Sequence, residues 1–158
     1  MPFISLPDLG LRAYVQVNAS HPTLDDDADP RSFLHPGKPN LVLLHAAVTS
    51  STVDFRDWFA NPRLAGEFNL IALDSRFCGR TETWPKERHL MEDNGSDTLA
   101  VLDALGIDKW SVVGHSLVGS TAAAWLAILA PERTRSMVLV SPNALEAPPE
   151  VTDSMINE

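Results

Sequence analysis

Ser116 stands where a run of strand-forming residues gives way to a run of helix-forming residues. The segment 110–113 contains two valines and is followed by Gly114, and small residues typical of a helix follow from Ser120. A serine at such a turn holds its hydroxyl clear of the backbone, with the N terminus of a helix behind it. Backbone N–H groups at that place can stabilise the oxyanion that forms when the hydroxyl attacks a carbonyl carbon. The pattern therefore predicts that Ser116 is a nucleophile.

Four apolar runs predict the strands that position this serine. They cover residues 40–45, 70–73, 111–113 and 137–140. Unbroken apolar strands are buried on both faces, which is typical of a parallel sheet covered by helices. Segments with the length of helices lie between the runs, at residues 54–64, 91–105 and 116–130. Alternating strands and helices predict an α/β fold with a mostly parallel, doubly wound sheet.

The first 39 residues follow a different pattern. Apolar and polar residues alternate around a turn at 7–10, which predicts an antiparallel hairpin over residues 3–18. Residues 19–39 are rich in proline, aspartate and serine, and this composition indicates a loop insertion. The sequence therefore predicts one α/β domain with an N-terminal antiparallel hairpin.

Composition limits the partners and the compartment. The 158 residues carry a formal net charge of -9, which is unfavourable for binding nucleic acid or an anionic membrane. The longest apolar run, residues 122–130, is far shorter than the roughly 20 residues that cross a bilayer. No signal-peptide pattern is visible, and a single cysteine fits a reducing compartment. We expect a cytoplasmic protein without a membrane span or a bound metal, and no obligate protein partner is evident.

Five segments, in this order, resemble the N-terminal half of the α/β-hydrolase fold family, in its serine-nucleophile branch. They are the strand end 43–47, the loop 74–81, the helix 99–107, the Gly-x-Ser-x-Gly-like turn 114–118 and the segment 131–141. The resemblance implies that Ser116 is the nucleophile. It also implies an oxyanion hole made by the backbone N–H groups of Leu117 and Ala47, with Ala46 a close competitor to Ala47. The substrates it implies are small acyl compounds such as esters and lactones, and no cofactor is required.

Other side chains in these segments are interpreted as structural. His45 is expected to hydrogen-bond loop backbone at its strand end, and His115 is expected to be structural rather than a catalytic base. Asp74 is expected to fix the loop after its strand, together with Arg76 and Thr81. These interpretations leave Ser116 without a base among its neighbours in the sequence.

The chain departs from the family pattern in two places. The family has a small residue two positions after the serine, where this chain has Val118, and its triad continues with an acid and then a histidine. All five histidines here precede Ser116. The resemblance makes residues 1–143 the N-terminal part of a hydrolase domain and residues 144–158 the start of an incomplete cap. We therefore expect a truncated chain that lacks the triad acid and histidine and is inactive by itself.

Two alternatives stay open. In the first, the chain is a catalytically silent relative that binds a ligand or another protein. Val118 and the missing histidine support this interpretation. Alternatively, it is a dinucleotide-binding oxidoreductase, because residues 114–119 form a degenerate Gly-x-Gly-x-x-Gly motif between a strand and a helix. In that motif the middle glycine, which lets the backbone approach a pyrophosphate, has become Ser116.

Overall fold

The computed structural model describes residues 3–18, 29–84, 90–91 and 93–142. The strands of this part are β1 Phe3–Leu6, β2 Leu11–Val17, β3 Asn40–Leu44, β4 Asn69–Leu73, β5 Glu82–Thr83, β6 Trp110–His115 and β7 Thr134–Val140. The helices are α1 Ser51–Asp54, α2 Arg56–Ala60, α3 Pro62–Glu67, α4 Asp93–Ala104 and α5 Ser116–Leu129, with short 3-10 turns at Pro7–Leu9 and Pro30–Phe33. The predicted start of a cap and residues 19–28 of the predicted insertion lie outside the described residues.

The strands form one sheet in the order β1-β2-β4-β3-β6-β7, with β5 paired to β2. Strands β4, β3, β6 and β7 are parallel neighbours, whereas β2 is antiparallel to β1, β4 and β5. This arrangement confirms the predicted α/β class and the antiparallel N-terminal hairpin. Among the described strands β7 lies at one edge of the sheet, where Met137, Val138 and Val140 are exposed.

The core lies on both faces of the sheet because side chains alternate along each strand. Val42 and Leu44 face the layer formed by α4 and α5, where they join a cluster that includes Leu126. Leu41 and Leu43 face the opposite layer, formed by α2 and α3, and pack with the side chains of Phe55, Phe59 and Leu70. Burial on both faces explains why these strands are continuous apolar runs in the sequence.

The prediction of a single helix over residues 54–64 is wrong. Residues 51–67 form three short helices, α1 to α3, and the last break falls at Asn61. Pro62 occupies the first turn of α3, where its missing N–H costs nothing, but the same residue could not continue the helix before it. The side chain of Asn61 accepts hydrogen bonds from the backbone N–H groups of Arg63 and Leu64 and so caps α3.

Strand register brings three polar side chains together. The last residues of β3 and β4 are aligned with each other and with Gly114 of β6. The residues that follow are therefore neighbours at the carboxyl edge of the sheet: His45, Asp74 and His115. Strand β3 lies between β4 and β6 in the sheet. The chain passes from β3 to β4 on one side of β3, and β6 is its neighbour on the other side. Ligands of open α/β sheets bind at such a point of divergence.

Candidate active site

Ser116 lies at the strand-to-helix turn predicted from the sequence. Strand β6 ends at His115 in an extended conformation, and α5 begins at Ser116 with a φ of 59°. This left-handed conformation is costly for a residue with a Cβ, and it persists only where the surrounding structure enforces it. The side chain of Ser116 is half-buried at the carboxyl edge of the sheet.

Two glycines at this turn allow the backbones of β3, β6 and α5 to pack closely against each other. A Cβ on Gly119 would lie 2.2 Å from the carbonyl oxygen of Leu44, and a Cβ on Gly114 would lie 2.3 Å from that of Gly119. The family pattern has a small residue two positions after the serine, where this chain has Val118. In this structure the close backbone contact instead falls three positions after the serine, at Gly119. Val118 is half-buried and is not the point of contact.

His45 is fully buried and has both ring nitrogens engaged. Its Nε2 accepts the backbone N–H of Ser75 at 2.9 Å, and its Nδ1 lies 2.6 Å from the carbonyl oxygen of Ala46. An N–H group can only donate, so Nε2 holds a lone pair and Nδ1 carries the proton. His45 thus joins the loops after β3 and β4, as the sequence predicts, and neither ring nitrogen is left to act as a base.

The loop after β3 offers two candidate oxyanion donors, and their surroundings differ. The N–H of Ala46 donates to Oδ2 of Asp54 at 2.8 Å, so it is already bound by a carboxylate. The N–H of Ala47 has no partner among the described residues. The N–H of Leu117 lies in the first turn of α5, where a helix leaves N–H groups without intrahelical partners. Of the two competing donors in this loop, Ala46 is therefore already occupied and Ala47 is not.

Asp54 is a site residue that the sequence reasoning missed. Its carboxylate accepts the N–H of Ala46, the hydroxyl of Thr49 at 3.1 Å and a hydrogen bond with Nδ1 of His115 at 2.9 Å. Burial raises the pKa of this carboxyl, but the bonds from Ala46, His115 and Thr49 outweigh burial and lower the pKa below its ordinary value. No sequence signal marks Asp54, because its partners lie 8 residues before it and 61 residues after it in the chain.

Asp74 is buried and holds the loops after β3 and β4 together. Its Oδ1 accepts the backbone N–H of Ser51 at 2.7 Å and the Ser51 hydroxyl at 2.6 Å, while Oδ2 accepts the N–H of Arg80 at 2.7 Å. The hydroxyl of Thr81 donates to the Asp74 carbonyl oxygen at 2.7 Å. The predicted role of Asp74 and Thr81 in fixing this loop is therefore present.

Arg76 also anchors this loop, but through partners other than Asp74. The guanidinium of Arg76 instead forms a buried, two-point ion pair with Asp97 of α4, at 2.6 and 3.0 Å. It also donates to backbone carbonyls in the N-terminal hairpin. The Asp74 carboxylate already accepts three donors, whereas Asp97 meets the fork of donors that a guanidinium presents.

A small pocket adjoins this site. It has a volume of about 160 Å³ and is lined by Asp54, Phe55, Trp58, Val113, His115 and Val140. The rings of Phe55 and Trp58 meet edge to face at 5.8 Å. Among the described residues, no three His, Cys, Asp or Glu side chains cluster as metal ligands do. Within the same residues, no helix has both the length and the hydrophobicity needed to cross a membrane.

Comparison with known sequences identifies the class of protein to which this sheet and the turn at Ser116 belong. Residues 39–157 match the family model of the alpha/beta hydrolase fold. The chain belongs to the α/β-hydrolase fold family. This membership argues against the dinucleotide-binding alternative.

Individual relatives resemble different lengths of the chain. An uncharacterised hydrolase of Saccharomyces cerevisiae is 35% identical over 111 residues, which are 70% of this chain and 37% of that protein. A hydrolase structure from Pseudomonas aeruginosa superposes with a TM-score of 0.71 at 25% identity, over 98% of this chain and 50% of that one. The structure of Est816, described as an N-acyl homoserine lactone degrading enzyme, gives 0.70 at 24% identity, over 99% and 52%. The chain thus spans about half or less of the length of each of these relatives.

Proposed function

We propose that this chain carries the nucleophile and the oxyanion-binding groups of a serine hydrolase that acts on esters, lactones or related acyl compounds. The observation that carries this proposal is the left-handed backbone of Ser116 between β6 and α5. A strained serine at that turn presents its hydroxyl at the carboxyl edge of the sheet, where substrates of such folds bind. No cofactor is needed, and the partner is a small acyl substrate.

The proposed reaction is an acyl transfer to Ser116 followed by hydrolysis. The hydroxyl oxygen of Ser116 attacks the acyl carbonyl carbon and loses its proton to a base. The oxyanion accepts hydrogen bonds from the N–H groups of Leu117 and Ala47, and one such donor typically lowers the barrier by about 3 kcal/mol. The base then returns that proton to the leaving alcohol oxygen as the C–O bond breaks. Water, activated by the same base, attacks the acyl-serine, which releases the acid and restores the Ser116 hydroxyl.

The base is the open part of this mechanism. His45 has no free ring nitrogen. Nδ1 of His115 is bound to Asp54, and its Nε2 forms no hydrogen bond with the Ser116 hydroxyl among the described residues. We propose that the base is a histidine outside these 158 residues, oriented by an acid that also lies outside them. Losing the histidine of a serine triad costs on the order of a millionfold in turnover, as the subtilisin measurements show. The 158 residues alone are therefore expected to turn over no ester.

A fluorophosphonate probe tests the nucleophile without requiring turnover. Imidazole added to the solution supplies the missing base, so labelling of the chain should rise with imidazole concentration. Peptide mapping should place the label on Ser116, and Ser116→Ala should abolish it. Ser111→Ala is the matched control, because Ser111 lies at the other end of β6 and its hydroxyl accepts a bond from Ser136. Labelling that persists in Ser116→Ala would remove Ser116 from its proposed role.

A second candidate function is that of a catalytically silent relative that binds a ligand. The position of all five histidines before Ser116 favours it. A folded chain whose Ser116 stays unlabelled at every imidazole concentration would support this candidate over the hydrolase.

A further inference from the structure

The pocket beside His115 has the size of one aromatic ring. Its volume is about 160 Å³, and an apolar cavity of about 150 Å³ is known to hold benzene. Whole substrates occupy sites of roughly 300–1,000 Å³, so this pocket fits a single ring or a similar small group.

The walls of the pocket favour an aromatic guest. Phe55 and Trp58 supply two rings that already meet edge to face, and Val113 and Val140 supply the remaining apolar surface. A third ring gains edge-to-face or offset contacts with such a pair, in addition to the free energy of burying its apolar surface.

Two polar side chains, Asp54 and His115, complete the lining of the pocket. Nδ1 of His115 is bound to the Asp54 carboxylate, and Nε2 has no partner among the described residues. The Asp54 carboxylate itself accepts hydrogen bonds from Ala46 and Thr49, so it holds the His115 ring in one orientation. Pockets for small molecules combine an apolar lining with a few fixed polar groups of this kind.

We propose that this pocket binds a single-ring phenol, with the ring against Phe55 and Trp58 and the hydroxyl hydrogen-bonded to Nε2 of His115. A hydroxyl suits either state of the imidazole, because it donates to a bare Nε2 and accepts from a protonated one. The Asp54 carboxylate makes an anionic ligand unfavourable at the same place. Binding at this pocket does not require Ser116 to react, so it stands or falls separately from the proposed hydrolase function.

Comparing phenol with toluene distinguishes a site that recognises the hydroxyl group from a pocket that binds any apolar ring. Each is titrated into isotope-labelled full chain while NMR follows the Trp58 indole and the Val113 and Val140 methyl groups. Phenol should shift these signals saturably and give intermolecular nuclear Overhauser effects to them. His115→Phe should weaken phenol about fivefold, the net effect of one neutral hydrogen bond, and should change toluene binding by less than about twofold.

A second pair of variants tests the carboxylate. Asp54→Asn keeps His115 but removes the charge that fixes it, and phenol should again bind severalfold more weakly. Asp57→Asn is the matched control, because Asp57 is exposed on α2 and does not line the pocket. Equal losses of phenol and toluene in His115→Phe, unchanged phenol affinity in Asp54→Asn, or contacts of phenol with another surface in the wild-type chain would each overturn the proposal. Labelling of Ser116 is measured independently and decides only the hydrolase function.

Discussion

Gly119 of α5 lies against the carbonyl oxygen of Leu44 in β3, so close that a Cβ at residue 119 would stand 2.2 Å from that oxygen. Real Cβ atoms are not found at such a distance from a backbone oxygen. The contact joins the start of α5 to the strand that leads into the loop of Ala47. The turn at Ser116 therefore depends on a residue one helical turn away.

Gly119→Ala is expected to destabilise the chain. The methyl group meets backbone rather than a flexible side chain, so the free energy of unfolding should fall by at least the 1–3 kcal/mol that overpacking costs. Urea unfolding measures the change. Gly66→Ala is the control, because nothing lies within 4 Å of a Cβ there, and it should raise stability by about 0.5–1 kcal/mol. Equal effects at the two positions would contradict the close contact.

The sequence shows the sheet and the turn but not the polar pairs. Runs such as 40–45 carry the information for buried strands locally, and the change from strand to helix at Ser116 is visible within ten residues. The pairing of Asp54 with His115 depends instead on strand register and on where α1 begins, and neither is a local property. The break at Pro62 did have a signal, because proline cannot continue a helix.

Asp97→Ala is expected to be among the most destabilising single changes in α4. It leaves the guanidinium of Arg76, whose side chain is 1% exposed, without its carboxylate partner. Removing one member of a buried ion pair typically costs about 3–5 kcal/mol in the free energy of unfolding. Glu67→Ala breaks the exposed pair of Arg63 and Glu67 and should cost less than about 0.5 kcal/mol. Comparable losses of stability in these two variants would contradict the buried pair.

The contribution of Asp54 to stability is expected to depend on pH. Its pKa in the folded chain lies below the ordinary value, so folding favours the charged carboxylate. That stabilisation is present above the ordinary pKa of about 3.9 and is lost as the pH falls through the lower folded-state pKa. The free energy of unfolding of wild type should therefore exceed that of Asp54→Asn above about pH 5, and the difference should shrink as the pH falls below about 4. A difference that grows between about pH 4 and pH 2 would contradict the direction of the pKa shift.

Comparing the stabilities of Ser116→Gly and Ser116→Ala tests whether residue 116 lies in a strained turn or is an ordinary helix cap. Both changes remove the hydroxyl, but only glycine relieves the left-handed backbone, which costs residues with a Cβ about 1–2 kcal/mol. The glycine variant should therefore unfold at a higher urea concentration than the alanine variant, by about 1 kcal/mol in free energy. Ser111, the second residue of β6, should give the opposite order, because glycine in a strand costs about 0.5–1 kcal/mol relative to alanine. If alanine were the more stable replacement at both positions, Ser116 would not occupy the strained turn on which its proposed reactivity depends.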